Sequence, residues 1–387
     1  MRILFFNELS TGGLADYVHA QANALAERGL SVEVLCSPPY AEGRSDARYR
    51  ITPDLLELRS GPVVGNRWRR RLRLATGLLE NVRRLERHLQ GERDLWVMTQ
   101  FSEYLAPLWA WRLRRLRRRQ GIRFCTVLHD PVRDYRIGPQ WWHDRSVRAA
   151  YSFLSAVFVH TREPVDVPVP MRVVTVPHGI YAYPAPQRGR DAVRAELGIA
   201  PDRRMLLSFG YIRDNKNLDR VLDALTGFPE LSLVVAGRAQ GGDNRPLQAY
   251  QDQAQRLGIA DRCVWLDRFI SAEEAADLFQ AADLSVMAYS RSFVSASGVL
   301  SVSANYRVPM LVSGGMRDTE ADVRQYDLGI WVRPDDTDAL RDGLRLWLRR
   351  GVSPDWKGFF RANSWARNAE LVEAELKRPV REQSGGK

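Results

Sequence analysis

Lysine is nearly missing from this chain. Of its 57 basic residues only Lys216, Lys357, Lys377 and Lys387 are lysines, so arginine carries almost all of the positive charge. Lys216 stands alone in the first 356 residues, just after the apolar stretch Met205 to Phe209 and Gly210. Arginine suits any solvated charge, whereas lysine offers a compact ammonium on a flexible stem. One lysine placed just past a buried strand therefore points to a site that favours a point charge, as phosphates do. A surface lysine in a strand-to-helix loop fits the composition equally well.

Other scarcities narrow the class further. The three cysteines, Cys36, Cys125 and Cys263, are odd in number, far apart and set in strand-like runs, which argues against a disulfide framework or a zinc site. No apolar stretch approaches the roughly 20 residues of a spanning helix. Met1-Arg2 leads straight into the strand-like Ile3-Leu4-Phe5-Phe6, so neither a signal peptide nor a transmembrane helix is expected. No internal repeat stands out. A reducing cytoplasm is the expected setting, and the hydrophobic content of 45% fits a soluble globular protein of two or three domains.

What is abundant is arginine, and it is unevenly placed. The net charge of +11 is crowded into Arg67 to Arg73 and Arg112 to Arg119, with Trp68, Trp109 and Trp111 nearby. Leu72, Ala75, Leu78, Leu79, Val82, Leu85 and Leu89 recur at helical spacing, so the first run reads as a core-facing helix with a charged outer face. Beyond a merely solvated face, the patch fits an anionic membrane surface, since basic helices with interfacial tryptophans bind anionic headgroups. Nucleic acid ranks last, because no recognition-module signature accompanies the arginines.

Strand-like and helix-like runs alternate from end to end. The first series is Ile3 to Phe6, Val32 to Cys36, Leu95 to Met98, Phe124 to Leu128, Ala156 to His160 and Arg172 to Val176. A helical pattern from Leu14 to Arg28, closed by Gly29, separates the first two. After Tyr181-Ala182-Tyr183-Pro184-Ala185-Pro186 a second series follows: Met205 to Phe209, Leu231 to Ala236, Cys263 to Leu266, Leu284 to Met287, Met310 to Val312 and Gly329 to Val332. This is an α/β chain of two Rossmann-like domains, expected over 1–180 and 181–353. A further helix is expected over 354–377, packing back toward the first domain, with a mobile tail over 378–387. Ser271 and Glu274 spell a reciprocal capping box.

Two such domains facing each other leave a cleft at the carboxyl ends of their strands, where helix N-termini suit phosphate. Gly12-Gly13 after the first strand lets backbone amides approach an anion, but its spacing is neither a dinucleotide fingerprint nor a P-loop, so NAD and ATP are not inferred. His129-Asp130-Pro131 follows another strand, and His129 there can act as acid, base or hydrogen-bond donor. His178, in Val176-Pro177-His178-Gly179, ranks next; His143 and His160 are less convincing. Ser297, Gly298 and Val299 would present amides to a diphosphate, with Arg213 and Lys216 neutralising it.

This ordered set resembles the GT-B nucleotide-sugar glycosyltransferases, particularly the bacterial family 4-type or group 1 enzymes of polysaccharide and cell-envelope synthesis. The residues carrying the resemblance are Gly12-Gly13, His129-Asp130-Pro131, Val176 to Gly179, Phe209 to Lys216, Val235-Ala236-Gly237, and Ser297 to Leu300 leading to Val308-Pro309-Met310-Leu311-Val312. The resemblance implies that Gly210, Tyr211, Arg213, Lys216, Gly237, Gly298 and Val299 surround the donor diphosphate, that His129 lies by the transferred sugar, and that Asp130 and His178 lie on the acceptor side or junction. Two departures touch the donor site. Tyr211 stands where the family usually has arginine, and Ser295 and Ser303 align with two family glutamates, so neither offers a charged two-oxygen acceptor.

The function so implied is that of a hexosyltransferase moving a sugar from a nucleoside diphosphate donor to a hydroxyl of a glycan or lipid-linked glycan, with retention. The enzyme would be cytoplasmic and peripheral on the inner face of the plasma membrane. No cofactor or metal is expected: Asp336-Thr337-Asp338 spells the aspartate pair of metal-dependent transferases but precedes a helical run and reads better as a cap. The alternative is a non-catalytic GT-B subunit that binds glycan or stabilises a partner transferase.

Overall fold

Strands form at all twelve strand-like runs in the computed structural model, and one more, Arg50–Thr52, forms where no run was anticipated. It is three residues long and sits at a sheet edge, too short to leave a period-two signature. The structure describes residues 1–58, 67–100, 103–129, 138–294 and 297–379, with only the backbone described for 67–71 and 104. Two compact units result, Met1–Gly179 joined by Asn363–Lys387, and Ile180–Ala362.

The first unit holds β1 (Arg2–Asn7), β2 (Ser31–Leu35), β3 (Arg50–Thr52), β4 (Leu95–Gln100), β5 (Arg123–Leu128), β6 (Leu154–Val159) and β7 (Arg172–Thr175). Their order, β3-β2-β1-β4-β5-β6-β7, is parallel throughout and reverses direction between β1 and β4. Alternate residues of β1 feed the two faces. Ile3 and Phe5 join a cluster with Tyr17, Trp96, Ala369, Val372 and Leu376, while Leu4 and Phe6 join Val82, Trp109, Leu113 and Phe153. Burying each such large side chain contributes roughly 1.5–3 kcal/mol.

The second unit holds β8 (Arg204–Phe209), β9 (Leu231–Ala236), β10 (Cys263–Leu266), β11 (Leu284–Ala288), β12 (Met310–Ser313) and β13 (Gly329–Trp331), in the order β10-β9-β8-β11-β12-β13. Every residue of β9 and β11 is buried, as expected for strands covered on both faces. The order reverses between β8 and β11, which makes the carboxyl ends of those two strands the place for a ligand.

Several local expectations need correcting. The helical pattern of 354–377 breaks into two helices, Trp356–Ala362 and Trp365–Lys377. Ser364 starts the second, its Oγ accepting from the Arg367 amide at 3.0 Å, and the chain enters the first unit at Asn363. In the helix Arg67–His88, Val82 and Leu85 are buried as anticipated, as is Leu89 just after it, but Leu72 is 67% exposed. The capping box is half formed: Ser271 Oγ accepts from the Glu274 amide, but the Glu274 carboxylate is taken by Arg268. Asp336 does cap its helix, accepting from the Ala339 amide at 2.9 Å. Among the described residues no helix is long and apolar enough to cross a membrane.

Candidate functional site

In the second unit, the turn after β8 sets a lysine against backbone. Gly210 adopts φ +86°, and the chain then forms a short 3-10 turn, Asp214–Lys216. This folds the Lys216 side chain back so that its Nζ donates to the Phe209 carbonyl at 2.5 Å. A Cβ at Gly210 would stand 3.1 Å from that Nζ and 3.8 Å from a Val299 methyl, so lysine, glycine and the start of the helix Gly298–Asn305 share one small space. Enclosure, then the charge of Arg213, lowers the Lys216 ammonium to about 7.

Arg213 lies with its guanidinium 5.4 Å from the centre of the Tyr211 ring, and its Nε is buried with no hydrogen-bond partner. Among the described residues no carboxylate forms an ion pair with Lys216 or Arg213, whereas Arg188, Arg194, Arg245, Arg268 and Arg333 each have one. Two adjoining cations left without carboxylates form a place for an anion. The turn is held rigidly: Asn217, at φ +48°, donates to Asp335 Oδ1 at 2.9 Å, while Asp335 Oδ2 accepts the Arg291 amide at 2.9 Å. The Ser290 amide bonds the Asn215 carbonyl at 2.9 Å, so the loops after β8 and β11 are tied together.

A Cβ at Gly298, the first residue of its helix, would meet nothing within 4 Å, and in that first turn the Leu300 amide bonds the Ser297 carbonyl at 3.1 Å. Ser297, at the N-cap position, makes no capping bond; its hydroxyl meets the Tyr289 hydroxyl at 2.9 Å. Ser303 is fully buried, its Oγ without a partner. Ser295 lies outside the described residues. Gly237, at the end of β9 with φ +142°, is pressed against the Gly210 backbone, and its amide bonds the Leu266 carbonyl.

In the first unit three histidines converge. His129 follows β5, His160 follows β6 and His178 follows the end of β7. Their rings surround Tyr17, with centroids at 4.5, 5.2 and 5.4 Å, and Trp365 lies 5.0 Å from the same tyrosine. The Tyr17 hydroxyl accepts from Asn368 and Gln21, which fixes its ring. Gly179, at φ +81°, leaves no room for a Cβ beside the Trp365 indole. Burial, then the neighbouring imidazoles, lowers His129 to about 3 and His160 to about 4, and burial also lowers His178. All three are neutral at pH 7. His160 and His178 were the weaker sequence candidates; the signal that joins them to His129 is their shared place at the ends of neighbouring strands. Asp130 lies outside the described residues.

Gly12, at φ +87°, and Gly13 start the helix Gly13–Glu27, and a Cβ at either would meet nothing within 4 Å. Beside them, just after β1, sequence reasoning missed Glu8. Its carboxyl is 6% exposed, with Asn81 Nδ2 donating to it at 3.2 Å, and burial raises it to about 8. No sequence pattern marks a buried acid that follows a strand.

These two strand-end sites sit on two parallel α/β units, and comparison with known proteins gives that arrangement a family. Residues 12–179 match the glycosyl transferase 4-like domain, and residues 189–369 match the glycosyl transferases group 1. The chain belongs to the group 1 glycosyltransferases, enzymes of GT-B fold. A D-inositol 3-phosphate glycosyltransferase of Mycobacterium tuberculosis H37Ra is 29% identical over 201 residues, which are 50% of this chain and 41% of that protein. The matched stretch thus spans about two fifths of that relative's length. Among solved structures, a glycosyltransferase from Rickettsia africae superposes with a TM-score of 0.66 at 13% identity, covering 99% of both chains. The Anabaena protein HepE, solved in complex with UDP and glucose, gives 0.59 at 16% identity over 97% of this chain and 95% of that one.

Proposed function

We propose that this glycosyltransferase moves a hexose from a nucleoside diphosphate sugar to a hydroxyl of a glycan or lipid-linked glycan in polysaccharide or cell-envelope synthesis. The observation that carries the reading is the pair Lys216 and Arg213, two cations without carboxylate partners among the described residues, beside the first turn of the helix Gly298–Asn305. A diphosphate supplies what that site lacks. HepE, a structural neighbour, was solved with UDP and glucose, in keeping with such a donor.

In the reaction the bond from the anomeric carbon to the diphosphate oxygen breaks, and the acceptor oxygen forms the new bond to that carbon. Negative charge grows on the departing diphosphate, where Lys216, Arg213 and the amides of Gly298 and Val299 stabilise it. In the retaining course the acceptor proton passes to the departing phosphate oxygen. His129, uncharged at neutral pH, orients a sugar hydroxyl rather than carrying charge.

The outer face of the helix Ala106–Gln120 supports attachment to an anionic membrane. Leu108 is 51% and Trp111 46% exposed, and Trp111 stands among Arg114, Arg115, Arg118 and Arg119.

Calorimetric titration with UDP-, GDP-, TDP- and ADP-sugars tests the donor site. Binding of one nucleotide series by the native protein and its loss in Lys216→Ala is expected; equal binding by both would overturn the assignment.

A further inference from the structure

Among the described residues, one group of side chains gathers metal-ligating atoms and nothing else: His129, His160 and His178, each offering a ring nitrogen within 4.8 Å of the other two. Two of the rings turn a nitrogen to backbone carbonyls. His160 Nδ1 lies 3.1 Å from the Val176 carbonyl and His178 Nδ1 lies 3.3 Å from the Gly179 carbonyl, so each Nδ1 carries the hydrogen and each Nε2 carries a lone pair. The Nε2 atoms of His129 and His160 are buried with no hydrogen-bond partner. An anion needs donors, and neutral imidazoles whose Nδ1 hydrogens are held by carbonyls offer few, whereas three ring nitrogens within 4.8 Å of one another fit a Lewis acid.

From this geometry we infer that His129, His160 and His178 form a binding site for one divalent transition-metal ion of the zinc class. Three neutral imidazoles suit zinc, cobalt or nickel over magnesium or calcium, which prefer oxygen. Metal–nitrogen bonds of about 2.0–2.1 Å place tetrahedral ligand nitrogens about 3.4 Å apart, so side-chain rotations that close the triangle by at most about 1.4 Å complete the site. The outer shell is already present. Carbonyls hold the Nδ1 hydrogens of two rings, and the Tyr17 ring, fixed by Asn368 and Gln21, backs all three. Three protein ligands leave a fourth position for water or a substrate hydroxyl.

The expectation that no metal binds rested on the scattered cysteines and on Asp336 and Asp338, which lie in the second unit at a helix start. The histidine site is independent of them. The diphosphate site at Lys216 and Arg213 lies in the other unit, so the two can fail separately, while with an ion bound the sugar hydroxyl assigned to His129 would meet the ion's fourth position instead.

The test uses the full chain, stripped with a chelator and re-equilibrated with zinc or cobalt. Elemental analysis should find one metal per chain, and cobalt should give the intense visible bands of four-coordinate imidazole ligation. His160→Gln and His178→Gln should weaken zinc by about 100-fold or more, at or beyond the upper end for losing an outer-shell partner. His143→Gln, outside the cluster, should bind normally. Because a buried substitution can unfold the chain, the native protein is also melted with and without zinc, and zinc should raise its Tm. No stoichiometric metal on the folded native protein, or full retention by a folded His160→Gln, would overturn the assignment.

Discussion

Gly237 lies against Gly210, so close that a Cβ on the first would collide with the carbonyl of the second. The contact joins the ends of β9 and β8 and is reinforced by the Gly210 amide, which bonds the Ala236 carbonyl at 2.9 Å. Gly210 in turn borders the ammonium of Lys216. A chain of backbone contacts therefore sets where Lys216 stands. Gly237→Ala meets both the φ of +142°, which other residues rarely adopt, and the overlap with backbone that cannot swing aside. Strain and overpacking together should cost about 2–5 kcal/mol. Urea denaturation should show a lower midpoint with unchanged slope, and nucleotide affinity should fall even at temperatures where the variant is folded.

Lys216 should report its own environment through protons. Its folded pKa, lowered to about 7, lies below the ordinary 10.5. Between those values the unfolded chain holds a proton that the folded chain has released, so stability rises with pH from about 7 to about 10.5. Lys216→Met should remove that rise and leave the protein more stable than the parent at pH 7. A bound diphosphate favours the charged ammonium, so binding at pH 8 should take up close to one proton, about that given by the two pKa values. Calorimetry in buffers of different ionisation enthalpy measures this. Loss of the ammonium should weaken binding by about 10- to 150-fold, as for a charge-assisted hydrogen bond of about 1.5–3 kcal/mol. Lys216→Arg should not rescue it, because a planar guanidinium has no space beside Gly210.

Much of this arrangement can be read from the chain. Buried parallel strands are written as short apolar runs, and the punctuation after them, Gly210, Gly237, His129, is where the site residues fall. Lys216 was visible because every other basic residue among the first 356 is arginine or histidine. What could not be read depends on contacts between segments remote in sequence. His160 gains its meaning only when β6 lies beside β5, and Asp335 becomes a support of the β8 turn only when it meets Asn217, more than a hundred residues away. The break at Asn363-Ser364 was hidden because apolar spacing continues through it while the serine starts a new helix.

Glu8 is the acid that no pattern announced, and its burial predicts an inverse pH response. With its folded pKa raised to about 8 from 4.5, the folded chain keeps a proton that the unfolded chain loses, so stability falls as pH rises between those values. The slope contributed is at most about 1.4 kcal/mol per pH unit. Glu8→Gln keeps the bond from Asn81 through its amide oxygen and should flatten this slope, giving a protein more stable at pH 8 than the parent. Thermal melts across pH measure it. If transferase turnover survives in Glu8→Gln, the carboxyl is a structural burden; if turnover drops while nucleotide affinity holds, the buried acid handles the acceptor.

Membrane attachment can be tested only with the arginines that are not already employed in the fold. Arg112 pairs with Glu86 at 2.6 Å and lies over the Trp111 ring, and Arg117 donates to the Phe153 carbonyl at 3.4 Å. Replacing those two would disturb packing and confuse the result. Arg114, Arg115, Arg118 and Arg119 line the outer face with Trp111, while Leu113 and Leu116 of the same helix point into the core. Each basic residue near an anionic surface is worth about 1 kcal/mol at low ionic strength. A variant with these four arginines changed to glutamine should therefore lose cosedimentation with phosphatidylglycerol vesicles by at least about ten-fold, with an unchanged thermal midpoint. Trp111→Ala should weaken it less and without the salt dependence, since it removes apolar insertion rather than charge. Equal sedimentation of the parent and the four-arginine variant would show that this face is only solvated, and the acceptor would then have to be sought among glycans free of lipid.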